Sequence, residues 1–210
     1  MKRIVLFIFC LWAHYSFSQD TLSYQVSVKG HRAGEATLAI TAEANAYQVV
    51  LTLYPNAMAK LLGIDDMREM AVGHINEGHY YPKRYDRKTL DDEQLLSVDF
   101  DGKQAYIEKD GHSSKLPISL DSQDPLTQIA QIQYDLLHGQ LAKSYALLTD
   151  KTLRKYQTGL SEKKQWRVVT LTQIPKGERV LKLWFDKQGL LQRMQKNKRG
   201  KKDFDMIRKY

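Results

Sequence analysis

The feature that most constrains this chain is how soon each apolar run is broken by a turn. Leu22, Tyr24, Val26 and Val28 alternate with Ser23, Gln25 and Ser27, the two-residue period of a half-buried strand. After a turn at Gly30 to Gly34 the pattern returns as Ala36, Leu38 and Ile40, and after Asn45 as Tyr47, Val49, Leu51 and Leu53. Connections this short exclude the crossovers that parallel strands need, so these strands are expected to form an antiparallel meander. The rhythm continues through 67–75, 79–89, 96–100 and 104–109, with Asp101-Gly102 as a hairpin signal because both residues tolerate positive φ. It resumes over 144–149, 153–158, 166–171, 180–185, 190–196 and 204–208.

One stretch breaks the rhythm at length. DPLTQIAQIQYDLLHG, residues 124–139, carries Leu126, Ile129, Ala130, Gln133, Leu136 and Leu137 at helical spacing, which gives one mostly apolar face. Asp124 is placed to cap the first turn, Pro125 falls where a missing N–H costs nothing, and Gly139 suits the left-handed exit. A helix this short is marginal alone and must pack on something. Residues 57–62 are expected to add one helical turn ended by Gly63. The predicted fold is therefore mainly β: one large curved antiparallel sheet, a half-barrel or spiral roll, of about ten to thirteen strands, with a single packed helix at about 124–138. Strand twist keeps so wide a sheet from staying flat.

The first residues, MKRIVLFIFCLWAHYSFSQD, place Lys2 and Arg3 before an apolar run and small residues Ser16 and Ser18 around Phe17. That is the pattern of a cleavable signal peptide over 1–18, leaving one β-rich domain over 19–210; the apolar run is shorter than the roughly 20 residues a membrane span needs. Cys10, the only cysteine, leaves with the signal, so the exported chain is held by its core without disulfides. About 190 residues suffice for such a core. A periplasmic location is expected.

Charge is divided unevenly. Residues 19–150 hold 12 Lys and Arg against 19 Asp and Glu, a net of −7, whereas residues 151–210 hold 18 against 5, a net of +13. A solvated basic face explains this; so does an anionic partner, which in the periplasm means lipid headgroups or an acidic polymer rather than nucleic acid. The basic turn Lys198, Arg199, Lys201 and Lys202 is the candidate contact with an anionic envelope surface. Tyr145, Tyr156, Trp166 and Trp184, with Arg179 and Lys182, are candidates to line an apolar ligand site and its mouth, although large aromatics in a sheet also serve as core.

Catalytic patterns are sparse. His74 and His79 flank a turn that contains Glu77, a set that suits zinc in type but not in diagnostic spacing. Asp99-Phe100-Asp101-Gly102 is a fragment of a calcium loop that a hairpin turn also explains. There is no GxSxG, and Ser161 to Lys164 matches SxxK without its companion motifs. No phosphate-binding glycine loop is present, so no cofactor, no metal and no enzymatic activity are expected. The reading that follows is a non-enzymatic binding module for a lipid or other amphiphile; action through the surface in envelope assembly is the alternative, and an unrecognised hydrolase a third.

The order of several short motifs resembles a family of secreted bacterial proteins known as domain of unknown function 3108. These are the Tyr24 strand, Gly34 opening the next strand, Pro82 in the Tyr-rich strand, Asp124-Pro125-Leu126 with Gly139, Asp150, and Leu183-Trp184-Phe185-Asp186. The resemblance implies an envelope location and an antiparallel β fold but no activity. At the level of fold it suggests an analogy to periplasmic lipoprotein carriers, whose curved sheet and helix enclose a lipid cavity. The chain departs from the family pattern at Leu191-Gln192-Arg193, where a proline is often found.

Overall fold

The computed structural model describes residues 21–91, 93–175 and 177–210; the expected signal peptide lies outside them. The first half of the chain is a meander of β1 (Leu22–Val28), β2 (His31–Glu43), β3 (Ala46–Pro55), β4 (Met67–Asn76), β5 (His79–Thr89), β6 (Gln94–Phe100), β7 (Gln104–Lys109) and β8 (His112–Pro117). A short helix, α1 (Ala57–Leu61), joins β3 to β4. The chain then forms β9 (Ser122–Gln123) and the long helix α2 (Pro125–His138). A second meander follows: β10 (Ser144–Thr149), β11 (Thr152–Lys163), β12 (Trp166–Ile174), β13 (Arg179–Phe185), β14 (Leu191–Lys198) and β15 (Lys201–Arg208).

All fifteen strands form one sheet in the order β8-β7-β6-β5-β4-β3-β2-β1-β15-β14-β13-β12-β11-β10-β9. Each meander pairs its strands in sequence, and β1 meets β15 antiparallel, with Tyr24 opposite Arg208 and Val28 opposite Phe204. The two ends of the described chain therefore stitch the halves together mid-sheet, and β8 and β9 form the edges. Only β9 runs parallel to its neighbour, β10. The two strands that alternation does not reveal are β8 and β9. β8 is an edge strand whose side chains are exposed or half-exposed, so it needs no apolar face; β9 has two residues, too few to show a period.

The sheet curls because its strands twist and because glycines and bulges bend them. The β1–β2 register shifts at Val26/Ser27 beside Gly34, where a Cβ would stand 2.2 Å from the Tyr54 carbonyl oxygen. At Gly73, beside the β4–β5 bulge, a Cβ would stand 2.1 Å from the Tyr81 carbonyl. The curl is tight enough for the flanks to meet. Asp150, in the β10–β11 turn, lies 3.3 Å from Arg87 of β5 and 3.6 Å from Lys109 of β7. The Gln123 side-chain amide donates to the Tyr80 carbonyl of β5 at 3.1 Å. Side chains and α2, not a strand ladder, bridge the gap.

Inside the curl, Tyr24, Leu38, Val49, Ala71, Leu171, Leu183, Phe185 and Met206 have at most 1% of their surface exposed. Helix α2 lies among them. Its ends are those the sequence predicts: Asp124 accepts from the Leu126 and Thr127 amides, both at 2.9 Å, and Gly139 ends it at φ 67°. Its burial is not. Leu126, Ile129, Ala130 and Leu136 are buried as expected, but so are Ile132, Thr127, Gln128, Gln131 and Asp135, while Leu137 is 43% exposed. The expected one-sided helix is instead enclosed over most of its circumference, because the sheet wraps around it. Its C-terminal half stops one end of the barrel: Arg167 Nη1 donates to the Leu136 carbonyl at 2.7 Å, and Tyr134 packs over Gly78, where a Cβ would come within 2.5 Å of the ring. No helix among the described residues is long and apolar enough to cross a membrane.

Candidate functional site

Because α2 plugs one end, space remains at the other. A cavity of about 460 Å³ lies between the first turns of α2 and the inner faces of both meanders. Leu51, Leu53 and Met67 line it from the first half, Leu181, Met194 and Phe204 from the second, and Leu126 and Ile129 from the helix. It reaches the end of the barrel where β3 leads into α1, β10 into β11, and β14 into β15. A volume of this size is within the range of small-molecule sites, about 300–1,000 Å³.

The polar groups in this wall fall into two sets. The first is paired. Glu69 and Arg87 stand directly opposite each other on β4 and β5 and form a 3.0 Å ion pair; Tyr85 donates to Glu69 at 2.7 Å, and Arg87 continues to Asp150. Burial and the Glu69 carboxylate push the Tyr85 hydroxyl well above its ordinary range, so it stays a donor. The second set is Arg179, Lys196, Asp203 and Gln128. Burial, and after it the neighbouring Arg179 guanidinium, lowers the proton affinity of the Lys196 ammonium. Gln128 is 1% exposed and its Nε2 has no hydrogen-bond partner.

A separate polar network fixes the helix. Thr127 donates to Asp124 and shares a 2.7 Å hydrogen bond with the Tyr47 hydroxyl. Gln131 donates to Asp135 at 2.7 Å and accepts from the Tyr80 amide at 2.7 Å. Tyr145 donates to the other Asp135 oxygen at 2.5 Å. These groups satisfy one another, as buried polar groups must.

Of the six residues the sequence assigns to a ligand site, Tyr156 and Arg179 line the cavity. Tyr145 is committed to Asp135. Lys182 and Trp184 fall on the strand positions opposite to Leu181, Leu183 and Phe185, hence on the outer face, where Arg193 stacks over the Trp184 ring at 5.0 Å. Trp166 alternates with the buried Val169 and Leu171 and also faces outward. In the basic turn, Lys198, Arg199, Lys201 and Lys202 are all exposed, but Lys202 is tied to Asp205 at 2.9 Å. His74 and His79 lie on one ring, that of Tyr81, with centroids at 5.0 and 4.5 Å, and no group of three potential metal ligands exists among the described residues. Asp101 accepts from the Lys103 and Gln104 amides of its own turn, so a hairpin accounts for it. Ser161 lies within β11 and is exposed.

Gln128, Lys196 and the Glu69–Arg87 pair escape sequence reasoning. A signal was nevertheless there: Glu69 interrupts the inward row Met67, Ala71, and Lys196 continues the row of Met194. A charge on an apolar parity marks either a buried pair or a binding wall.

No family model matches the chain, and no curated protein matches it. Among solved structures, the fold is similar to that of the β-barrel-like protein of domain of unknown function DUF1849 from Brucella abortus, with a TM-score of 0.59 over 90% of this chain and 94% of that one. Identity is 11%, so the likeness is one of fold alone. It corrects the resemblance to domain of unknown function 3108. The motifs behind that resemblance, such as Asp124-Pro125 and Gly139, are helix-capping and turn signals, which any β-barrel holding a helix at this place would use.

Proposed function

We propose that the protein is a non-enzymatic binding module or carrier of the bacterial periplasm that holds an apolar or amphiphilic, lipid-like molecule inside its barrel. The observation that carries this reading is the apolar cavity beside α2, open at one end and edged by Arg179 and Lys196. A plugged barrel whose lumen is lined by Leu51, Leu53, Leu126, Ile129, Leu181 and Phe204 offers a ligand chain what water does not. The signal-like N-terminus supports the location.

A second reading, action at a surface, is supported by α1. The helix buries only Ala59 and, with its C-cap Leu62, leaves Met58 66%, Leu61 83% and Leu62 76% exposed. Contiguous exposed apolar side chains mark interaction sites. They stand at the open end of the cavity, as does the basic β14–β15 turn, so the two readings join: the mouth meets an anionic envelope surface.

Native mass spectrometry of protein purified from periplasm without detergent tests the first reading. The expected result is a reproducible mass excess removed by organic solvent, and its loss in Leu51→Trp, which fills the cavity. A bare mass, together with no uptake of the neutral dye N-phenyl-1-naphthylamine, would overturn it.

A further inference from the structure

We infer that the cavity selects an acidic amphiphile, a single-chain carboxylic or phosphoric acid whose head is held between Arg179 and Lys196. The inference rests on the carrier reading and adds the chemical class of the head.

Three acids, Glu69, Asp150 and Asp203, and three cations, Arg87, Arg179 and Lys196, line the cavity, so its charges balance in number but not in placement. Glu69 is taken by Arg87 at 3.0 Å, and Asp150 is shared by Arg87 at 3.3 Å and Lys109 at 3.6 Å. That leaves Asp203 against two cations, Arg179 and Lys196, neither of which has an ion pair among the described residues. The sheet holds the two together. Lys196 stands opposite Leu181 on the neighbouring strand, and Arg179 precedes Leu181 by two residues. They are thus diagonal neighbours on the inner face, about 7–8 Å apart at the backbone. Like charges so placed repel one another, and the apolar side chains of Leu181 and Met194 beside them leave both only half-exposed. The weakened hold of Lys196 on its proton is what burial next to Arg179 produces. An anionic head relieves both costs. A neutral head relieves neither, and a cationic head adds to them.

The second observation is Gln128. Its Nε2 donor is buried in the cavity wall without an acceptor, whereas both amide atoms of Gln131, one turn further along the helix, are hydrogen-bonded. A purely apolar guest leaves that donor unpaired. An ester, hydroxyl or acid oxygen carried into the cavity supplies its acceptor. The ligand therefore brings oxygen at more than its tail, which an alkane or sterol hydrocarbon lacks.

Displacement of N-phenyl-1-naphthylamine from the full exported chain separates the cases, using probes of one chain length: tetradecanoic acid, tetradecyl phosphate, tetradecanol and tetradecyltrimethylammonium. The acids are expected to compete at least about tenfold better than the alcohol and the ammonium. Which acid is tighter tells whether a carboxylate or a phosphate head is preferred. Arg179→Gln and Lys196→Gln should each weaken the acid by about tenfold and leave the alcohol within about twofold, with the thermal transition as the folding control. Equal competition by acid and alcohol, or an unaffected acid in both variants, overturns the head-group assignment while leaving the carrier reading intact. Failure of the dye itself to enter overturns the carrier reading.

Discussion

Asp124 caps α2 from a position with 1% of its surface exposed. Burial raises its carboxyl to about 6, against an ordinary value of 3.8, despite the hydrogen bonds from Leu126 and Thr127 that favour the charged form. The folded protein therefore holds this proton more tightly than the unfolded chain. The stabilisation is complete below about pH 4 and is lost as pH rises through about 6. Asp124→Asn keeps an acceptor for the helix amides but removes the titration. Denaturant unfolding at a series of pH values should show the variant gaining on the wild type between pH 4 and 6 and holding a constant margin above. A margin independent of pH would show that the group does not titrate in this window. That Asp124 is an N-cap was legible in the sequence, because capping is local. That its charge is buried was not, because burial depends on what the sheet places over it.

At the scale of the element, α2 shows the same division. Proline at its first position and glycine at its exit set its length, and both were readable. The stripe Asp124, Thr127, Gln131, Asp135 reads as the solvent face of an amphipathic helix, yet it is buried because β3, β5 and β10 supply partners. Tyr47, Tyr80 and Tyr145 each come from a different strand, and no local pattern announces their meeting. Tyr145→Phe leaves one Asp135 oxygen without its donor and should cost about 1–3 kcal/mol, read from denaturant unfolding, with dye affinity little changed. The opposite outcome, lost dye binding at unchanged stability, would return Tyr145 to the ligand wall that the sequence suggests for it.

The whole molecule is two meanders of opposite charge, joined along β1 and β15 and closed through Asp150 by Arg87 and Lys109. Part of the excess positive charge of the second meander reaches solvent at the β14–β15 turn, where Lys198, Arg199, Lys201 and Lys202 are exposed. Reversing Lys198, Arg199 and Lys201 to Glu should weaken binding to vesicles rich in phosphatidylglycerol by at least tenfold at low salt, with the thermal transition nearly unchanged. Lys202 is better left alone: its ammonium and the Arg193 guanidinium hold the buried Asp205, so its reversal would mix a stability loss into the readout. Undiminished vesicle binding would make the turn a solvated surface and nothing more.

Residue order alone determined that the chain is antiparallel β with one long helix, where that helix starts and stops, and where most strands turn. Alternation, caps and turn residues act over a few neighbours, so they are written locally. Tertiary structure decided which of two strand faces closes around the helix, how far the sheet curls, and so which side chains face the lumen. Trp184 and Lys182 face outward while Lys196 and Gln128 face in because strand parity is relative until the curl chooses its concave side. That choice is made by contacts between residues far apart in the chain, such as Asp150 with Arg87 and Gln123 with Tyr80, for which no short stretch carries a sign.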